Sequence, residues 1–123
     1  MFKLDLSPTY SYPVELPVVD ERGKSQTHKI TIKFRRLPRE QLVDINKTDN
    51  DGGQRDGGQV VEADVDYLLQ FVDGWAGVGD DSGDDLPFNR DNLRALLNAV
   101  PAASTAITSA FFEAQAGGQR RKN

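Results

Sequence analysis

Residues 73–116 read DGWAGVGDDSGDDLPFNRDNLRALLNAVPAASTAITSAFFEAQA, and this stretch decides the fold. It places Trp75 at the predicted end of one helix, an acidic glycine-rich loop after it, and then two short helices that meet at Pro101. Nothing in the stretch matches a catalytic motif. Its two predicted helices present apolar faces, so the function depends on what those faces cover.

The last two helices have clear start and stop signals. Asn89 is a good N-cap for a helix that ends near Val100, and Pro101 is expected to start the next helix, which runs to about Ala116. Gly117 is expected to end it. The apolar residues of these helices that we select as partner-binding candidates are Leu93, Leu97, Ile107, Phe111 and Phe112, with Trp75 bracing the corner.

Two further helices are expected before this stretch. Pro38 can start one over residues 39–47. Residues 60–73 predict another, which Gly74 would end in a left-handed conformation. The apolar face of this second helix consists of Val61, Val65, Leu68, Leu69 and Val72. Residues 48–59 contain no apolar side chain and four glycines, and we expect a flexible loop there.

The first 37 residues alternate apolar and polar side chains, which is typical of strands. We predict a short strand over residues 2–6 and a hairpin that pairs residues 12–19 with residues 27–36. Pro13 and Pro17 suit an edge strand. The fold class is therefore α+β: a small N-terminal antiparallel sheet packed on about four C-terminal helices. We assign residues 1–37 to a β region, 60–116 to a helical region and 117–123 to a disordered tail.

Composition limits the possible functions. The chain has 123 residues, no cysteine and a formal net charge of −4, and its length fits a single domain over residues 1–123. Without cysteine, disulfides, thiolate metal sites and a cysteine nucleophile are excluded. The acidic balance argues against a nucleic-acid partner. No apolar run approaches the roughly 20 residues of a membrane span, so we expect a soluble protein with no membrane partner.

The aspartates between Asp80 and Asp85 raise the possibility of a calcium loop. A loop that starts at Asp80 has Asp85 where the EF-hand pattern needs glycine and Asp91 where it needs glutamate, so the register fails. A solvated acidic turn is the favoured interpretation. His28 is the only histidine and has no partner residue for a zinc site or a catalytic triad. We therefore expect no cofactor, no metal and no enzymatic activity.

The apolar faces of the last three helices allow two interpretations. In the first, they pack on the hairpin and form the core, which short helices need for stability. In the second, part of this surface, Phe112 for instance, holds a partner helix in a groove.

The C-terminal half resembles the small tail assembly chaperones of long-tailed bacteriophages. The resemblance rests on VDGWAGV (72–78), on LPFNRDNLRALLNAVPAASTAITSAFFEA (86–114) and on the basic ending RKN; the segment YPVELPVVDERGKSQTHKITIKFRRL (12–37) is compatible with it. It implies a protein of the host cell cytoplasm that binds the aggregation-prone tape measure protein before the tail tube polymerises. The tail tube protein and a second copy of the chain are further candidate partners.

The resemblance also raises the possibility of a ribosomal frameshift. Residues 121–123 (RKN) can be encoded with a slippery A AAA AAY heptamer, so we expect residues 1–123 to be the shorter of two products. The alternative function is a minor structural subunit of a phage tail or connector, which would remain in the virion.

Overall fold

A three-stranded antiparallel sheet and four helices make up the part of the chain that the structure describes. The structure is a computed structural model that describes residue 4, residues 7–50 and residues 57–117. The elements in chain order are β1 (Thr9–Val19), β2 (Ser25–Arg35), α1 (Arg39–Asn50), α2 (Gly57–Leu69), β3 (Val72–Ala76), α3 (Arg90–Ala99) and α4 (Ala103–Gln115). The sheet order is β1-β2-β3. The predicted α+β class is confirmed.

The hairpin of β1 and β2 forms as its alternating sequence predicts. Its turn is closed by Asp20, whose side chain accepts hydrogen bonds from the backbone N–H groups of Arg22 and Lys24, both over 2.9 Å. Gly23 takes the left-handed conformation, with φ of 80°, that such a turn needs. The face of the hairpin that is buried carries Val14, Leu16, Ile30, Ile32 and Phe34.

The third strand was not predicted, and the expected helix over residues 60–73 is wrong in its last turn. The helix ends at Leu69, because the chain turns there to bury the whole Phe71 side chain. The backbone N–H of Arg35 then donates to the Phe71 carbonyl over 2.8 Å, and the Arg35 guanidinium pairs with Asp73 at 3.0 Å. Gly74 lies opposite Lys33 in this strand and does not form a left-handed cap.

The predicted loop over residues 48–59 is shorter than expected. Residues 48–50 belong to α1 and residues 57–59 to α2, so helix extends into both ends of it. Residues 51–56 lie outside the described residues. The expected strand over residues 2–6, apart from residue 4, and the expected disordered tail after Gly117 also lie outside them.

A tight turn separates the last two helices. The side chain of Asn89 accepts a hydrogen bond from the Asn92 N–H over 2.8 Å, which confirms the predicted cap of α3. The fourth helix begins at Ala103, later than predicted. The reason is a turn that precedes it: the Ala103 N–H donates to the Val100 carbonyl over 2.9 Å, and Pro101 occupies the second position of this turn. Gly117, with φ of 97°, follows the end of α4 as predicted.

Among the described residues, no single helix is long and apolar enough to cross a membrane. The third and fourth helices pass that test of length and composition only as a pair, and their axes are bent by 110° at the break between them.

Aromatic rings join the sheet to the helices. Phe71 stacks on Phe111 with ring centroids 4.2 Å apart, and Phe34 lies 5.4 Å from Phe111. All three rings are fully buried. Because these residues come from β2, from the α2–β3 junction and from α4, the sheet and the helices share one core.

Candidate partner-binding surface

The structure places the six predicted binding residues in two different environments. Leu93, Leu97, Ile107 and Phe111 are buried in the core, at 7% exposure or less, and a partner cannot touch them while the fold is intact. Trp75 and Phe112 are half-buried and reach the surface. Most of the predicted binding residues therefore belong to the core, as the first of the two interpretations expects, and the accessible apolar surface lies elsewhere.

Trp75 connects β3 to the chain segment that precedes α3. Its indole N–H donates to the Leu86 carbonyl over 2.7 Å. Its ring meets Phe88 edge to face, with centroids 5.0 Å apart. An indole N–H that is partly removed from water needs such a hydrogen-bond partner, and this one fixes the far end of the acidic loop against the sheet.

The acidic loop is a small closed hairpin. Asp80 and Gly83 form its turn: the Gly83 N–H donates to the Asp80 carbonyl, and Gly83 has φ of 85°. The Asp80 carboxylate accepts hydrogen bonds from the N–H groups of Ser82 and Asp84, over 2.9 and 3.0 Å. The Leu86 N–H donates to the Val78 carbonyl over 2.9 Å and so joins the two arms of the hairpin. The same D-x-x-G pattern, with Asp20 as its aspartate, closes the β1–β2 turn. The hydrogen bonds of the Asp80 carboxylate therefore stabilise its own turn.

An open groove of about 560 Å³ lies between this hairpin and α3. The hairpin contributes the apolar side chains of Val78 and Leu86, and the acidic side chains of Asp80 and Asp81 stand on the same wall. The third helix contributes one stripe at i, i+3, i+4 and i+7 spacing: Asn92, Ala95, Leu96 and Ala99. The described lining contains no basic side chain.

Three faces of α3 therefore have different contacts. Leu93 and Leu97 point into the core, and the stripe with Leu96 lines the groove. On the third side, Arg90 and Arg94 pair with acidic residues of α2.

Glu62 of α2 is the centre of these ion pairs. It accepts hydrogen bonds from Arg94 and, over 2.8 Å, from Arg90, which also contacts Asp66 at 2.7 Å. Arg94 reaches Asp91 of its own helix at 3.1 Å. The hydrogen bonds from Arg94 and Arg90 lower the pKa of Glu62 to about 2. The two arginines are thus directed away from the groove.

The family model described as phage tail assembly chaperone matches residues 1–123, which is the whole chain. The chain belongs to the phage tail assembly chaperone family. A search of curated proteins gave no significant match, and a search of solved structures gave none either.

Membership of this chaperone family confirms the resemblance seen in the sequence. The family is one of chaperones, which is not a known class of enzymes, and its description points to the binding of a phage tail protein. For a member of this family, the surface of interest is therefore one that holds another polypeptide. The groove beside α3 is open to solvent, and its lining combines apolar side chains with polar and acidic ones.

In this chaperone, α4 is fixed to β1 by polar contacts at the surface. The Tyr12 hydroxyl donates to Glu113 over 2.9 Å, and the Gln115 side-chain amide donates to the Tyr10 hydroxyl over 2.6 Å. Burial raises the pKa of Tyr10. Phe112 lies just before these contacts, with its ring 5.3 Å from that of Phe111, and its exposed edge is a second apolar surface.

The groove residues were missing from the sequence-based candidates. Leu96 lies about 100° from Leu97 around the helix, where it packs partly against the core and also lines the groove. Two signals point to it: Ala95 and Ala99 flank it at helical spacing, and the D-x-x-G turn that begins at Asp80 precedes the helix.

Proposed function

We propose that this chain binds the tape measure protein of its phage and keeps it soluble in the host cell cytoplasm until the tail tube assembles. The observation that carries the proposal is the open groove beside α3, with Leu96 on its floor. Family membership supports it, because the described activity of the family is tail assembly.

A long helical protein with apolar stripes aggregates unless those stripes are covered, and a groove between two elements can cover such a stripe. Release also has to be possible when tube subunits arrive. A groove of this size supports a modest interface, which suits a temporary complex.

Co-expression tests the proposal. The tape measure protein of the same phage is expressed with and without this chain, and its soluble fraction and its co-purification with the chain are measured. We expect the tape measure protein to be soluble, and to co-purify, only when the chain is present. An equally soluble tape measure protein in both cases, with no co-purification, would contradict the proposal.

The composition of the virion separates this function from the alternative structural subunit. Mass spectrometry of purified particles is expected to find no copies of the chain if it acts as a chaperone. A fixed number of copies per particle would identify a minor tail or connector subunit.

We further propose that the chain is the shorter product of a frameshifted gene pair. The support is that residues 121–123 (RKN) allow a slippery A AAA AAY heptamer. The nucleotide sequence at these codons and the −1 frame that follows test the proposal. A non-slippery sequence, or a stop codon at once in the −1 frame, would contradict it.

A further inference from the structure

We propose that the groove beside α3 binds one amphipathic helix of the tape measure protein, with Lys or Arg flanking the apolar stripe of that helix. This inference rests on the proposed function and names the site and the chemistry of the bound segment.

The shape of the groove favours a helix as the occupant. The α3 stripe from Asn92 to Ala99 covers about two helical turns, or roughly 10 Å. Ala95 and Ala99 are both exposed and have small side chains, so the backbone of a second helix can approach α3 closely between them. Leu96 lies between them, where it contacts apolar residues of the partner at i, i+3 or i+4, and i+7.

The hairpin supplies the opposite wall. Val78 and Leu86 are half-buried and close the groove on the side that faces α3. The hairpin is held by its own hydrogen bonds and by Trp75 through Leu86, so this wall is in place before a partner arrives. A preformed groove loses little conformational entropy when it binds.

The charge of the groove selects a basic partner. Asp80 and Asp81 line it, and both are exposed. Arg90 and Arg94, the nearest cations on α3, are directed to Glu62, Asp66 and Asp91 and do not neutralise this wall. A helix with Lys or Arg at the edge of its apolar stripe is therefore complementary to the groove, and an acidic helix is repelled.

The test uses the full chain and fluorescent 25-residue peptides that tile the tape measure sequence, with binding followed by fluorescence anisotropy. Two substitutions at exposed positions alter the groove and leave the core untouched: Ala99→Trp fills it, and Ala95→Glu places a charge on its apolar wall. We expect each to weaken the best peptide by about tenfold or more. Val43→Glu on α1 is the matched control, since Val43 is 50% exposed and lies outside the groove lining.

A second pair of substitutions tests the acidic wall of the groove. Asp81→Lys is expected to weaken binding about threefold and to reduce the effect of salt on binding. Glu21→Lys, which makes the same change of net charge in the β1–β2 turn, is expected to leave both unchanged. The peptides that bind best are expected to be basic and to carry apolar residues at helical spacing. A best binder with net negative charge would overturn the inference.

The outcomes distinguish the groove from the function. If the unaltered chain captures the tape measure protein, and the Ala99→Trp and Ala95→Glu chains capture it equally well, the function stands and the groove assignment fails. If the two substitutions instead abolish self-association of the chain alone, measured by sedimentation velocity, the groove belongs to a second copy and the assignment also fails. If the unaltered chain captures no tape measure segment, the proposed function itself fails.

Discussion

The indole N–H of Trp75 donates to the main-chain carbonyl of Leu86, with 2.7 Å between nitrogen and oxygen. This bond ties the last strand of the sheet to the far arm of the hairpin that forms one wall of the groove. The geometry of the proposed binding surface therefore depends on the sheet as well as on α3.

Replacing Trp75 with Phe tests this connection. The variant keeps an aromatic ring against Phe88 but loses the donor to Leu86, so we expect a loss of about 1 kcal/mol in the free energy of unfolding. Urea denaturation followed by circular dichroism measures it, because the chain has no other tryptophan for fluorescence. Amide exchange in the hairpin around Asp80 is expected to quicken. Unchanged exchange there would show that the bond does not hold the hairpin.

The stacked pair of Phe71 and Phe111 is expected to dominate the stability of the core. Both rings have 0% exposure, so Phe71→Ala removes a buried ring and leaves a cavity, at a loss of about 3–5 kcal/mol in the free energy of unfolding. The exposed-site control Val43→Ala is expected to change it by less than about 0.5 kcal/mol. A double-mutant cycle with Phe111→Leu measures the coupling of the rings, for which we expect about 0.5–1.5 kcal/mol. Additive losses would contradict a direct interaction.

The ion pairs of Glu62 predict a pH dependence of stability. Its pKa is lowered from 4.5 to about 2 by hydrogen bonds from Arg94 and Arg90 in the folded chain. A lowered pKa means that the stabilisation is present above pH 4.5 and disappears as the pH falls through 2. Unaltered protein and Glu62→Gln are therefore expected to differ in melting temperature at pH 6 and to converge toward pH 2.

The control for this experiment is Glu21→Gln, in the β1–β2 turn, where no ion pair is made among the described residues. Its difference from the unaltered protein is expected to stay small at every pH. Because Glu62 is partly exposed, its effect is also expected to shrink in high salt. A Glu62→Gln difference that persists at pH 2 would mean that packing, and not charge, is responsible.

Phe112→Asp tests the second apolar surface, on α4. Phe112 is half-buried beside Phe111, and we expect the variant to fold, with a loss of about 1–2 kcal/mol, and to capture less tape measure protein. Circular dichroism and co-purification measure the two effects. Thr105→Asp, at an exposed position of the same helix, is the control for the added charge. An unfolded variant would assign Phe112 to the core, and unchanged capture would remove it from the binding surface.

Much of the fold could be predicted, because local sequence determines it. The alternation in β1 and β2 and the cap at Asn89 are signals that the neighbouring residues alone produce. The third strand could not be predicted in this way. Val72 continues the helical period of α2, and Gly74 interrupts any alternation, so only pairing with the distant β2 makes this segment a strand.

The candidate site was harder to predict than the fold. Periodicity identifies an apolar face of α3, but it does not show that Leu97 is buried in the core while Leu96 is half-buried and lines the groove. That difference arises because α2 and α4 cover one side of the helix and leave the other beside the hairpin. The groove exists only once the hairpin lies against α3, so the sequence showed the acidic loop but neither the size of the groove nor the position of this loop beside α3.

The ring of Phe34, in the second strand, packs against Phe111, in the last helix. During synthesis this contact forms late, because its two residues are made far apart in time. The hairpin leaves the ribosome first, and its apolar face stays uncovered until α4 has followed it. A chain that stops before Ala103 lacks α4 and Phe111, so the apolar face of its hairpin stays exposed to solvent. Exposed apolar surface of this kind leads to aggregation. A member of a chaperone family thus carries an uncovered apolar face of its own for most of its translation.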